Sequence, residues 1–146
     1  QVGPAGAAML GSVVLPASGL RKLTLTGNRV MAAGLAALAG GLPRSETISE
    51  LNLADNSITH SAGALPAVAA LCEALRSNAS MTFLDLSHNT LGPEATQALA
   101  EAADMCPGLK GLRVGEPGVP TKLFKQAFRD GKKKKGKKGK KGKKKK

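Results

Sequence analysis

Leu20-Arg21-Lys22-Leu23-Thr24-Leu25-Thr26-Gly27-Asn28-Arg29-Val30 decides how the rest of the chain is read, because it comes back. It returns as Ile48-x-x-Leu51-x-Leu53-x-x-Asn56-x-Ile58 and again as Met81-x-x-Leu84-x-Leu86-x-x-Asn89-x-Leu91. A fourth copy, Leu109-x-x-Leu112-x-Val114-x-x-Pro117-x-Val119, has proline where asparagine stood. The copies lie 28, 33 and 28 residues apart. A single match arises readily in a chain this rich in leucine; three in register with the same asparagine do not.

Within each copy the alternating Leu23 and Leu25, and their equivalents, have a period of two, which predicts a short strand with one buried face. Between copies run alanine-rich stretches of helical periodicity: Met31 to Leu42, Ser61 to Ser77 and Pro93 to Met105. One strand and one helix cannot bury their own apolar sides, so the units must stack. The fold class is therefore α/β, a solenoid with short parallel strands on its concave side and helices on its convex side. The asparagines Asn28, Asn56 and Asn89 are expected to form a structural ladder, because an amide can both donate and accept where a strand bends away. The second unit is five residues longer between Ile58 and Met81, so its helix or return loop should bulge.

These residues resemble the ribonuclease-inhibitor-like class of leucine-rich repeats, over about residues 2 to 120. The class includes ribonuclease inhibitor, the Ran GTPase-activating protein, NOD-like receptors, tropomodulin-type actin cappers and subunits of the axonemal dynein-regulatory complex. The resemblance implies protein binding through the repeat surface. Val2-Gly3-Pro4-Ala5 echoes Leu91-Gly92-Pro93-Glu94, in which proline sits just inside a helix start. That phrase follows a strand elsewhere, so residues 1–120 are expected to begin with an incomplete unit of a longer protein.

Beyond the fourth copy, Thr121-Lys-Leu-Phe-Lys-Gln-Ala-Phe-Arg129 is amphipathic, with Leu123, Phe124, Ala127 and Phe128 on one face and Thr121 as an N-cap. Residues 121–130 are read as a C-terminal helix capping the open end of the stack, or as a partner-binding phenylalanine pair. Residues 131–146 hold 12 lysines and 4 glycines, namely Lys132, Lys133, Lys134, Lys135, Lys137, Lys138, Lys140, Lys141, Lys143, Lys144, Lys145 and Lys146 interrupted by glycine. Like charges repel and glycine removes helix propensity, so this tail is expected to be disordered. The chain has 22 Lys and Arg against 10 Asp and Glu, so removing the tail's 12 leaves residues 1–130 neutral. The basic pI thus reports an appendage and not a basic folded surface.

Catalytic sets are not apparent. His60 and His88 follow strands in different units, and no serine, aspartate or cysteine has a spacing that pairs with either. Asp55 and His88 share one repeat position, which suits a polar turn better than a dyad. Cys72 and Cys106 are read as reduced, buried and structural, in an intracellular compartment. We expect no enzyme activity, no cofactor, no metal, no small-molecule substrate and no transmembrane segment.

Side chains lying between the motif leucines point to the concave side in rows: Lys22, Glu50, Phe83 and Gly111; Thr24, Asn52, Asp85 and Arg113; Thr26, Ala54, Ser87 and Gly115. Phe83 is the expected anchor for a protein partner, flanked by Glu50, Asn52, Asp85 and Arg113. For the tail, an acidic protein surface, nucleic-acid phosphates and anionic lipid are the possible partners. The protein-binding character of the attached repeats favours acidic protein. The reading is a protein-interaction scaffold in a cytoskeletal or axonemal assembly. Alternatives are a nucleic-acid-associated, nuclear protein acting through its tail, and a regulator of a small GTPase.

Overall fold

The structure is a computed structural model that describes residues 1–59, 61 and 63–115. Four three-residue strands form one parallel sheet in sequence order: β1 (Lys22–Thr24), β2 (Glu50–Asn52), β3 (Phe83–Asp85) and β4 (Gly111–Arg113). Parallel neighbours need a crossover between them, and each is supplied by one helix. The register places Leu23, Leu51, Leu84 and Leu112 side by side. Leu51 and Leu84 are fully buried, as are Leu53 and Leu86 two residues further on. Burying such a side chain stabilises the fold by roughly 1.5–3 kcal/mol. The repeat therefore works as a unit of core: each copy adds one inward layer.

On the convex side lie α1 (Gly3–Met9), which runs through a π turn at Leu10–Val14 into α2 (Leu15–Ala17), then α3 (Met31–Gly41), α4 (Ala64–Ser77) and α5 (Pro93–Met105). The π turn lies just ahead of Pro16, which has no N–H to offer the carbonyl four residues back. Against it α3 comes very close. A Cβ on Gly11 would stand 2.3 Å from the Ala37 carbonyl oxygen, and one on Gly41 would stand 1.9 Å from that of Gly11. Two glycines meeting backbone to backbone set that helix spacing, and any larger residue would force the helices apart.

The helix forecast needs small corrections. The α-helix after β1 stops at Gly41, and a 3-10 turn over Leu42–Arg44 finishes it, with Pro43 inside the turn. The helix after β2 starts at Ala64 instead of Ser61. Helices α3 and α4 end, counting that turn, the same four residues before Ile48 and Met81. The five extra residues of the second unit consequently lie ahead of α4, in the return loop after Ile58. Helix α5 spans Pro93–Met105 as its periodicity indicates.

The first three strands each leave the sheet through an asparagine. Asn56 Oδ1 accepts from the backbone N–H of Asn28 (3.2 Å) and Val30 (3.1 Å), while its Nδ2 donates to the carbonyls of Leu25 (2.7 Å) and Ala54 (2.9 Å). Asn89 repeats the pattern one unit on, accepting from Asn56 (2.9 Å) and Ile58 (3.1 Å) and donating to Leu53 (2.9 Å) and Leu86 (3.0 Å). Asn28 accepts from Val2 N–H at 3.0 Å and donates to the Thr26 carbonyl. Val2 and Gly3 thus stand where Val30 and Met31 stand in the next unit, with Gly3 N–H on the Asn28 carbonyl as Met31 N–H is on that of Asn56. The incomplete-unit boundary, the capping helix at 121–130 and the tail at 131–146 rest wholly or partly on residues outside those described.

Candidate functional site

The concave surface takes its geometry from the sheet. Because the strands are parallel and in register, Lys22, Glu50, Phe83 and Gly111 form one row, and Thr24, Asn52, Asp85 and Arg113 the next. Glu50, Phe83, Asn52, Asp85 and Arg113, the five residues singled out from sequence, thus come together on three neighbouring strands.

Their charges are matched across strands. Lys22 Nζ lies 2.8 Å from Glu50 Oε2, with both side chains largely in solvent. Asp85 Oδ1 accepts from Ser87 N–H (3.0 Å) and Ser87 Oγ–H (2.6 Å), and its Oδ2 stands 3.7 Å from Arg113 Nη1. Asn52 Oδ1 accepts from Thr26 Oγ1 (3.0 Å) and Ala54 N–H (2.9 Å). This sheet patch carries two cations and two anions in pairs, so its field is short-ranged.

Phe83 lies over β4. A Cβ on Gly111 would come within 2.7 Å of Phe83 Cδ2, so the glycine leaves the bay in which the ring rests. The Arg113 guanidinium sits 5.3 Å from the ring centroid, within the range of a cation–π contact. Arg113 therefore holds two neighbours at once, a carboxylate and an aromatic face. Beside Phe83 is a dimple of about 40 Å³ bounded by Lys22, Leu23, Glu50, Leu51 and Asn52.

Two residues sit deeper than their outward direction suggests. Asp85 is only 5% exposed and Ala54 only 7%. Phe83 itself is half-buried. A ring held this way presents a rigid edge on the concave side, with little side-chain freedom left to lose.

A polar column on the opposite rim escaped the sequence reading. Asn78 Nδ2 donates to the carbonyls of Leu42 (2.6 Å) and Ser45 (2.9 Å), while its Oδ1 accepts from Ser80 N–H and Met81 N–H. Ser49 Oγ and Thr82 Oγ1 each reach a carbonyl of the preceding unit, those of Arg21 and Ser49 respectively. Ser45 and Asn78 stand three residues before Ile48 and Met81, so extending the repeat comparison upstream would have found them.

The remaining titratable groups do not converge. Cys72 and Cys106 are buried and free. Burial pushes the Cys72 thiol up to about 11 against the opposing pull of Arg76, and burial raises Cys106 as well. Asp55 and His88 are exposed at equivalent turns, with no ion pair between them; His60 lies outside the described residues. Among the described residues no three His, Cys, Asp or Glu side chains group as metal ligands, and no helix is long and apolar enough to cross a membrane.

A family model for the leucine-rich repeat matches residues 77–100, from the end of α4 through β3 and the Asn89 turn into α5. Over those residues the chain matches a leucine-rich repeat. Among solved structures, the repeats are similar to leiomodin-1 actin-binding site 2, with a TM-score of 0.67 and 19% identity over 82% of this chain and 66% of that one. They are also similar to the tropomodulin C-terminal domain of Caenorhabditis elegans, with a TM-score of 0.50 and 12% identity over 83% and 86% of the two chains. At these identities the likeness is one of fold. The chain spans just under two thirds of the leiomodin-1 fragment. No curated protein matches it in sequence.

Proposed function

We propose that this leucine-rich-repeat chain is a protein-interaction scaffold and not an enzyme, acting inside the cell in a cytoskeletal setting. In this reading the concave face supplies specificity and the lysine tail supplies electrostatic attachment to an acidic protein surface. The observation that carries it is the Phe83–Arg113–Asp85 arrangement, a half-buried ring fixed by a guanidinium that is fixed in turn by a buried carboxylate. Aromatic and arginine side chains held in this way are the usual anchors of protein interfaces. The patch's paired charges favour a protein over a nucleic acid as the partner of the folded part, because a phosphate backbone is held by a surplus of unpaired bases.

The leiomodin-1 fragment of the same fold is an actin-binding site, so filamentous actin is the first partner to test. Co-sedimentation compares the full chain, Phe83→Ala/Arg113→Glu, and a chain ending at Asp130, at low and high salt. The scaffold reading expects binding by the full chain that survives high salt and falls at least about tenfold in Phe83→Ala/Arg113→Glu. Removing the tail should weaken only the salt-sensitive part. No sedimentation by the full chain would remove the actin reading. Binding lost with the tail and indifferent to Phe83 and Arg113 would remove the concave-face reading.

The twelve-lysine tail supports a second reading, a nucleic-acid-associated protein. With no arginine or aromatic residue among them, residues 131–146 would bind phosphates without sequence preference. A gel shift with duplex DNA of two unrelated sequences separates the cases. Equal binding that depends wholly on the tail supports this second reading.

A further inference from the structure

The polar column on the rim opposite the asparagine turns breaks at its last step. In the earlier seams, side chains of one unit serve carbonyls of the unit before. Thr47 Oγ1 donates to the Leu20 carbonyl (3.0 Å) and Ser80 Oγ to the Ile48 carbonyl (2.7 Å). Asn78 Nδ2 serves the carbonyls of Leu42 and Ser45 in the same way. One unit on, the repeat puts Cys106 where Asn78 stood and Gly108 where Ser80 stood. The carbonyls in the corresponding places are those of Leu75, Asn78 and Met81, and among the described residues no side chain donates to them. A Cβ on Gly108 would lie 3.6 Å from the Met81 oxygen, so a hydroxyl carried there would be within reach of it.

Where the donors are missing there is a cavity. A recess of about 290 Å³ opens between the ends of α4 and α5, and Leu75, Asn78, Met81 and Gly108 all line it. Arg76, paired with Glu73 on its own helix, and Met105, 66% exposed, stand in the same lining. Each feature restricts what fits. Small-molecule sites run from about 300 Å³ upwards, so this volume suits one large side chain. The oxygens only accept, so the occupant has to donate. Arg76 repels a second cation, which sets lysine and arginine aside. Leu75, Met81 and Met105 offer apolar surface, and methionine sulfur and a guanidinium both favour an aromatic ring. Tryptophan combines these demands in one side chain: a wide ring with an N–H donor and no acceptor to leave stranded. The sequence holds no tryptophan, so the occupant comes from another molecule.

We propose that this recess receives a tryptophan side chain of a protein partner, its indole N–H donating to the Met81 carbonyl and its ring lying against Met81 and Met105. The site is on the rim ahead of the strands and not on the concave face. It goes beyond the Phe83 reading and stands or falls separately from it.

Titrating N-acetyl-tryptophanamide into the full chain tests this, read from the methyl NMR signals of its four methionines. The ring current of a bound indole should shift Met81 and Met105 along one saturation curve and leave the exposed Met9 and Met31 unmoved. The N1-methylated analogue, which has no N–H, should bind about tenfold more weakly. Cys106→Asn/Gly108→Ser gives the column its own donors again, so it should lose the shifts while its urea midpoint rises. Gly108→Ser alone, whose Cβ meets only ordinary contacts, should weaken the probe at least about threefold and keeps the test open if the double change does not fold. Phe83→Ala should leave the shifts as they are. No saturable shift at Met81 and Met105, equal binding of the methylated analogue, or shifts kept in Gly108→Ser would overturn the proposal. Free indole binding more tightly than the amide would mark a small-molecule site and overturn the assignment to a protein partner.

Discussion

Replacing Asn89 with alanine should be among the costliest single changes in the chain. Asn89 is 2% exposed, and its amide serves both sides of a seam. Alanine would leave the N–H groups of Asn56 and Ile58 without their acceptor, and the carbonyls of Leu53 and Leu86 without a donor. An unsatisfied buried donor or acceptor costs about 1–3 kcal/mol. Two orphaned donors are the larger part, since a carbonyl tolerates losing one partner better, so we expect a loss of about 3–5 kcal/mol. Against the ~5–15 kcal/mol typical of a whole domain, that is a large share. Asn28→Ala is the internal control. Asn28 accepts only from Val2 N–H and is half-exposed, so water can replace the bond and the cost should be about 1 kcal/mol. Asn89→Asp keeps the acceptor but places an anion beside two carbonyls, so it should be no milder than alanine. The chain has no Trp or Tyr, so urea unfolding followed by far-UV circular dichroism is the appropriate assay. At a slope of roughly 1.5–2 kcal/mol/M, Asn89→Ala should shift the midpoint by about 2 M. Equal losses for Asn28→Ala and Asn89→Ala, or a loss under about 1 kcal/mol for the latter, would refute the ladder accounting.

Gly111→Ala should cost about 1–2 kcal/mol and, on the proposed scaffold reading, weaken partner binding as Phe83→Ala should, because its Cβ would stand 2.7 Å from the ring; urea titration and co-sedimentation read the two effects. His88 holds φ at 59°, a left-handed conformation that costs a side-chain-bearing residue about 1–2 kcal/mol. His88→Gly should therefore raise stability by about 0.5–1 kcal/mol once glycine's own entropy is counted, seen as a higher thermal midpoint. The folded Cys72 thiol holds its proton more tightly than an unfolded one. Its contribution is then level through neutral pH and falls as pH climbs from about 9 towards about 11, and Cys72→Ala should flatten that decline in urea midpoints measured across the range.

The strands and their register were legible because the motif states them directly: a period of two, a fixed step and an asparagine at one place. What failed to show had tertiary causes. Asp85 points to the concave side as alternation requires, but its depth is set by Ser87 beside it and by Arg113 on another strand. The sequence gives direction without depth. The second unit's extra residues were visible as a count, but Ser61 to Gly63 are as compatible with a helix as the residues after them, so the loop could not be told from the helix. The meeting of Gly11 with Gly41 depends on how two helices pack 30 residues apart, and neither local stretch announces it. Asn78 was overlooked because the comparison began at the first leucine-like position of each copy. Among the five concave residues, direction along the strand was enough to bring them together; chemistry was needed to say which of them a partner could reach.

That distinction narrows the partner. Asp85 is buried, and Arg113 is the cation nearest its free oxygen. A partner carboxylate that drew Arg113 away would leave Asp85 charged and unpaired in a buried place, which costs several kcal/mol. Arg113 is therefore better engaged from its solvent side, with Asp85 and the Phe83 ring still in place, by carbonyl oxygens or by an apolar side chain laid along the ring edge. An acidic partner gains little on this face, since Lys22 too is already paired with Glu50. Strongly acidic surfaces are instead suited to the lysine tail. On the scaffold reading proposed above, the two attachments would select for different features: the concave face for a shaped, mostly uncharged patch, and the tail for dense negative charge. On that reading, a surface with both features would hold the chain through two linked contacts, the second made at an effective concentration set by the length of the lysine-rich stretch.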